Sequence, residues 1–137
     1  PDGATLPFDE AAIKTHLEET FKKHEFNTQS TATEKNLDIP FFELLLVAYP
    51  IDQGYVAVIE GRLMESVDPL RVTLEKETLF QAITWEKKTL VVAPTDEFKA
   101  VVFKNIDDIT AVFFERFDYF EKLKLKMEGK KGTERIH

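Results

Sequence analysis

The chain has 137 residues, 43% of them hydrophobic, with 12 Phe, no Cys and a net charge of −7. This is the length of one domain with enough apolar content for a core; the lack of cysteine removes disulfides, thiolate nucleophiles and Cys-ligated zinc. No run of about 18 apolar residues occurs, so no membrane-spanning helix is predicted, and an acidic body argues against a general nucleic-acid binder, which needs clustered cations.

In chain order, residues 1–6 read as a loose lead-in. A first helix is predicted from Asp9, a good N-cap after Pro7 and Phe8, to about His24. Ile13, Leu17 and Phe21 recur every four residues as its buried stripe, and Glu10–Lys14, Glu18–Lys22 and Glu19–Lys23 pair along the exposed face. Residues 27–36 are polar and read as a loop or a frayed edge strand.

Residues 41–49, FFELLLVAY, are apolar on nearly every side. Such a run is a strand buried on both faces or a buried helix segment; the apolar stretch YVAVI at 55–59 looks like a hairpin partner and favours the strand. Asp52 and Gly54 mark the turn, with Gly54 expected to supply a positive φ in a loop of three to five residues. Gly61 suggests a bulge or a strand end. Leu70, Val72 and Leu74 alternate with polar residues as in a strand with one wet face. Residues 79–85 and 89–93 read as two strands joined at Glu86-Lys87-Lys88, and 99–103 as a last short strand.

The long terminal helix is predicted over 105–129. Asn105 is a favoured N-cap, Asp107 and Asp108 suit a first turn, Lys122, Lys124 and Lys126 suit the last turns, and Gly129 suits the left-handed residue beyond. Ile106, Ile109, Phe113, Phe117 and Phe120 fall in one arc, into which Lys124 intrudes. The helix is therefore expected to leave the core after Leu123. Phe114, Tyr119 and Leu125 lie off the arc and are candidates for a second contact surface.

Helix, five or six mostly antiparallel strands, helix: this order predicts an α+β fold with the long C-terminal helix packed on one face of the sheet. Residues 1–128 form the expected single domain and 129–137 a flexible polar tail. In element order alone the chain resembles secretion-chaperone-like α+β dimers, which are also small and acidic; no residue motif carries the resemblance.

Charge is uneven. Residues 122–137 hold six Lys or Arg against two Glu, a net of +4, and the rest holds 12 against 23, a net of −11. The basic end suits an acidic partner or the acidic body of a second copy, as well as the helix dipole.

The sequence offers little catalytic equipment. There is no Gly-x-Ser-x-Gly, no phosphate-binding Gly-rich loop and no calcium-loop pattern, and His16 and His24 are eight residues apart, too far for a helical metal pair. Glu43 and Glu60 stand alone in apolar strands; buried, they would be carboxyls of raised pKa that suggest a general acid or base, while the plainer reading puts both at the rim or pairs them with Arg62 or Arg71. Neither a cofactor nor a metal is expected. Tyr49, Tyr55, Trp85 and Phe117 are candidates to line an aromatic pocket for a small apolar ligand.

The main expectation comes from the first hairpin. It is apolar on both faces, and two helices cover only one side of such a sheet. A non-enzymatic protein-interaction domain follows, as a homodimer or as an adaptor, chaperone or inhibitor. An apolar-ligand module is the alternative, and an enzyme built on Glu43 or Glu60 the third. Absence of cysteine fits a reducing compartment, so a soluble, cytoplasmic protein is expected, unless a signal or anchor preceded Pro1.

Overall fold

The structure, a computed structural model, describes residues 6–26, 40–71 and 80–134. The order is α1 (Glu10–Lys23), β1 (Phe41–Ile51), β2 (Gly54–Val67), β3 (Phe80–Pro94) and α2 (Thr95–Glu134). The fold is α+β, as predicted, but the described sheet has three strands rather than five or six, in the order β1-β2-β3 with both pairs antiparallel. The predicted loop at 27–36 and the part of the alternating strand at Val72 and Leu74 lie outside the described residues.

Two differences account for two of the missing strands; in the third, at 70–74, Leu70 lies in a turn and positions 72–74 lie outside the described residues. Glu86-Lys87-Lys88 is not a turn: β3 runs straight through it, with Lys88 opposite Glu60, Lys87 opposite Gly61 and Glu86 opposite Arg62. No Gly or Asn was there to make a tight turn, and cross-strand charge pairing suits a continuous strand. The predicted strand at 99–103 is helical. Its Val102 belongs to a helical seam, Phe98, Val102, Ile106, Ile109 and Phe113, all of them buried.

α2 therefore starts ten residues before Asn105. That residue lies inside the helix, where its amide Nδ2 donates to the Val101 carbonyl at 2.8 Å. The helix also passes through Gly129, the predicted stop, to Glu134. At 1.5 Å per residue its 40 residues span about 60 Å.

α1 matches its prediction closely. Asp9 caps it, accepting from the Ala12 N–H at 2.9 Å. The far end closes in a Schellman arrangement: the Glu25 N–H donates to the Lys22 carbonyl and the Phe26 N–H to the Phe21 carbonyl, both at 3.0 Å. Glu25 sits at φ 63°, a conformation that costs a non-glycine residue about 1 kcal/mol. The accompanying apolar contact is present, Phe26 meeting Phe21 edge-on at 5.6 Å. No α1 residue is fully buried; Ile13 and Leu17 pack against the core from its margin.

Alternate strand residues point to opposite faces. Tyr55, Ala57 and Ile59 of β2 and Val91 and Ala93 of β3 are buried on the face that carries α2. Two glycines set how closely parts approach, and neither serves as the sequence suggested. Gly54 faces Ile51 across a two-residue turn and Pro94 on the other side; a Cβ there would lie 2.0 Å from the Ala93 carbonyl oxygen, so close backbone approach, not positive φ, requires glycine. Gly61 is mid-strand, and a Cβ there would lie 2.6 Å from Ile109 Cγ2, so its bareness lets α2 settle on the sheet. The bulge occurs later, at Leu63/Met64.

Candidate interaction surface

The opposite face of the sheet is open. In register across the three strands lie Val47, Val58 and Leu90, then Tyr49, Val56 and Val92. Val47 is 51% exposed, Tyr49 64%, Leu90 67% and Val92 62%. Ile51 extends the patch at the β1–β2 turn and is also exposed. Neither α1 nor α2 lies on this side. The continuous apolar run of the hairpin thus has a direct structural counterpart: one face is core and the other is bare.

The patch ends in a charged row. Glu43, Arg62 and Glu86 face one another across the strands, next to Glu60 opposite Lys88. Glu60 is buried to 6% exposure and takes the plainer of its two expected roles, paired with Arg62 rather than standing as a raised-pKa acid. Arg62 donates to it twice, Nε to Oε1 at 2.7 Å and Nη2 to Oε2 at 3.0 Å, and Lys88 Nζ stands 3.7 Å away. The bidentate Arg62 contact, outweighing desolvation, holds the Glu60 carboxyl below its ordinary value, and Glu60 in turn raises the Arg62 pKa. A depressed folded-state pKa contributes stability above the unfolded pKa, about 4.3, that is lost as pH falls through the folded value. Glu60→Gln is accordingly expected to lower the urea midpoint at neutral pH, with the gap to wild type closing on acidification below about pH 4. A gap that widens in acid would refute this sign.

The second open surface is the end of α2. The spacing that buries Val102, Ile106, Ile109 and Phe113 continues unbroken through Arg116 to Phe120, Leu123 and Met127, and these three are exposed. Arg116 lies over the Phe120 ring at 5.5 Å from its centroid. Tyr119 and Leu125, predicted as contact residues, are exposed on the same segment. Phe114, predicted with them, is buried: the His24 ring stacks on it at 4.1 Å and Phe21 and Phe26 close round it. It lay off the arc because α1, approaching from the side, makes a second buried stripe on α2.

The proposed pocket residues do not converge. Tyr49 is on the open face, while Tyr55 is on the core face and stacked on Phe98 at 4.8 Å. Trp85 and Phe117 both meet Phe113, at 5.3 and 5.7 Å, within an aromatic cluster that fills the gap between α1, α2 and β1.

Sequence reasoning missed how α1 is held. His16 stacks on Phe103 at 4.8 Å and its Nε2 meets Asp107 Oδ1 at 2.6 Å; His24 stacks on Phe114 and its Nε2 meets Asp118 Oδ2 at 3.0 Å. Each clasp uses a Phe and the Asp four residues beyond it on α2. Asp107 is therefore a partner of His16, not a first-turn residue. The repeated Phe-x-x-x-Asp spacing was the available signal.

Among the described residues no group of three or more His, Cys, Asp or Glu is placed to hold a metal ion, and no helix is long and apolar enough to cross a membrane. No protein-family model, curated protein or solved structure matches the chain significantly.

Proposed function

We propose that the chain is a non-enzymatic protein-interaction domain, a homodimer or an adaptor-like module, and that the open face of the sheet is its contact surface. The observation that carries this reading is the row-on-row apolar face of Val47, Val58, Leu90, Tyr49, Val56 and Val92, which neither helix covers. A contiguous apolar patch with a polar border is the usual form of a protein contact site. Val47, Tyr49, Leu90 and Val92 are each more than half exposed, which suits a macromolecule better than a small ligand, for which a concave site is needed.

The test compares wild type with Val47→Glu/Leu90→Glu. Light scattering at micromolar concentration is expected to give a dimer or larger species for wild type only, or pull-down to give a defined partner retained by wild type only. A wild-type monomer that captures nothing beyond what the double variant captures would overturn the proposal. Both substitutions are at exposed positions, so a retained far-ultraviolet circular dichroism spectrum separates loss of contact from loss of fold.

A further inference from the structure

Among the described residues two exposed apolar surfaces stand out. One is the open sheet face; the other is the ridge Phe120, Leu123 and Met127 on the far part of α2. We infer that they are each other's partners in a second copy: the α2 end of one protomer lies on the open sheet face of its twin, and the reverse. This rests on the interaction reading above and adds the occupant and the arrangement.

Three observations point to it. The first is continuity. The ridge extends, at unchanged spacing, the seam by which α2 already packs on the inner face of its own sheet, so its apolar side is shaped for a sheet of this kind. The second is charge. Residues 122–137 carry +4 and the remainder −11. Helix end against helix end would set the two basic segments together, whereas helix end on body sets opposite charges together. Asp52 borders the face beside Ile51 in the hairpin turn, and the charged row at its other end, Glu43, Glu60 and Glu86 with Arg62 and Lys88, keeps a net −1. The third is area. Three strands about 4.8 Å apart and some five residues deep project on the order of 250 Å², short of the roughly 800 Å² per partner of a standard interface. Sheet against sheet would use that area alone and leave both ridges bare. The reciprocal arrangement covers two faces and two ridges, and as a two-fold contact it closes on itself without forming filaments.

Complementation tests the arrangement. Leu123→Glu/Met127→Glu removes the ridge and Val47→Glu/Leu90→Glu removes the face. Each variant alone is expected to lose the wild-type dimer, with at least a roughly tenfold rise in its dissociation constant. Mixed, they are expected to form a heterodimer, because the intact ridge of one meets the intact face of the other. Neither a sheet-to-sheet nor a helix-to-helix dimer is restored by mixing, since each needs the same surface on both copies. Circular dichroism of each variant verifies folding, and Lys122→Ala/Lys126→Ala, which leaves the ridge intact, is expected to weaken the dimer more at low than at high salt. A dimer that the face variant dissolves but that mixing does not restore overturns this arrangement and leaves the interaction reading standing. A wild-type monomer overturns the arrangement as well, while capture of another protein by the open face would still support that reading.

Discussion

Phe98→Ala is expected to cost about 3–5 kcal/mol, the range for removing a fully buried aromatic side chain. Phe98 has no solvent exposure and joins three parts of the molecule: its ring stacks on Phe8, just before α1, at 5.7 Å and on Tyr55 of β2 at 4.8 Å, from the first turn of α2. Its loss leaves a void where the segment before α1, the sheet and the long helix meet, and none of the three can close it without moving the others. Against a total stability of about 5–15 kcal/mol this is a large fraction, and a fall in melting temperature of roughly 10–20 °C follows. Differential scanning calorimetry measures it directly. A melting temperature within a degree or two of wild type would mean that α2 does not pack on β2 as described.

Gly54→Ala is the second large effect, at about 2–3 kcal/mol. The added methyl would sit 2.0 Å from the Ala93 carbonyl oxygen and 2.7 Å from Pro94 Cα. Both are backbone atoms of the neighbouring strand, so no rotamer change relieves the overlap; the hairpin corner must part from β3. Gly129→Ala is the matched control, since a Cβ there meets nothing within 4 Å. Equilibrium urea unfolding of the two variants beside wild type separates them. Equal midpoints for Gly54→Ala and wild type would contradict the close strand approach.

Some of this was legible in the sequence and some was not, for identifiable reasons. α1 was readable because cap, stripe and surface pairs all agree: Asp9, then Ile13, Leu17 and Phe21, then the Glu–Lys pairs. The first hairpin was readable, including the fact that apolar residues outnumber the places in which its own chain hides them. The start of α2 was hidden by Asn105, a residue type that caps helices from outside but here donates to a carbonyl one turn back. Lys99, Ala100, Val101, Val102 and Phe103 looked extended because Val and Phe favour strands, and packing overrode that preference. The contact residues separated along the same line. Tyr119 and Leu125 are exposed, but so are Phe120 and Leu123, so α2 leaves the core about a turn earlier than periodicity implied, and Phe114 required knowledge of where α1 lies. Glu60 could be read either way from sequence, since burial alone raises a carboxyl pKa; Arg62, two residues away on the same side of the strand, decides for the expected ion pair.

The wiring of the chain also bears on how it assembles. Every pairing in the sheet joins neighbouring strands, and α2 follows β3 directly, so that unit forms through contacts of short sequence separation. α1 instead reaches across 91 residues to Asp107 and 94 to Asp118, with no residue wholly out of solvent. It is thus expected to dock late in folding and, with the exposed end of α2, to open ahead of the sheet, its amide protons exchanging with solvent before those in the strands. Each such opening bares Phe113, Phe114 and Phe117 while the meander and the long helix stay in place.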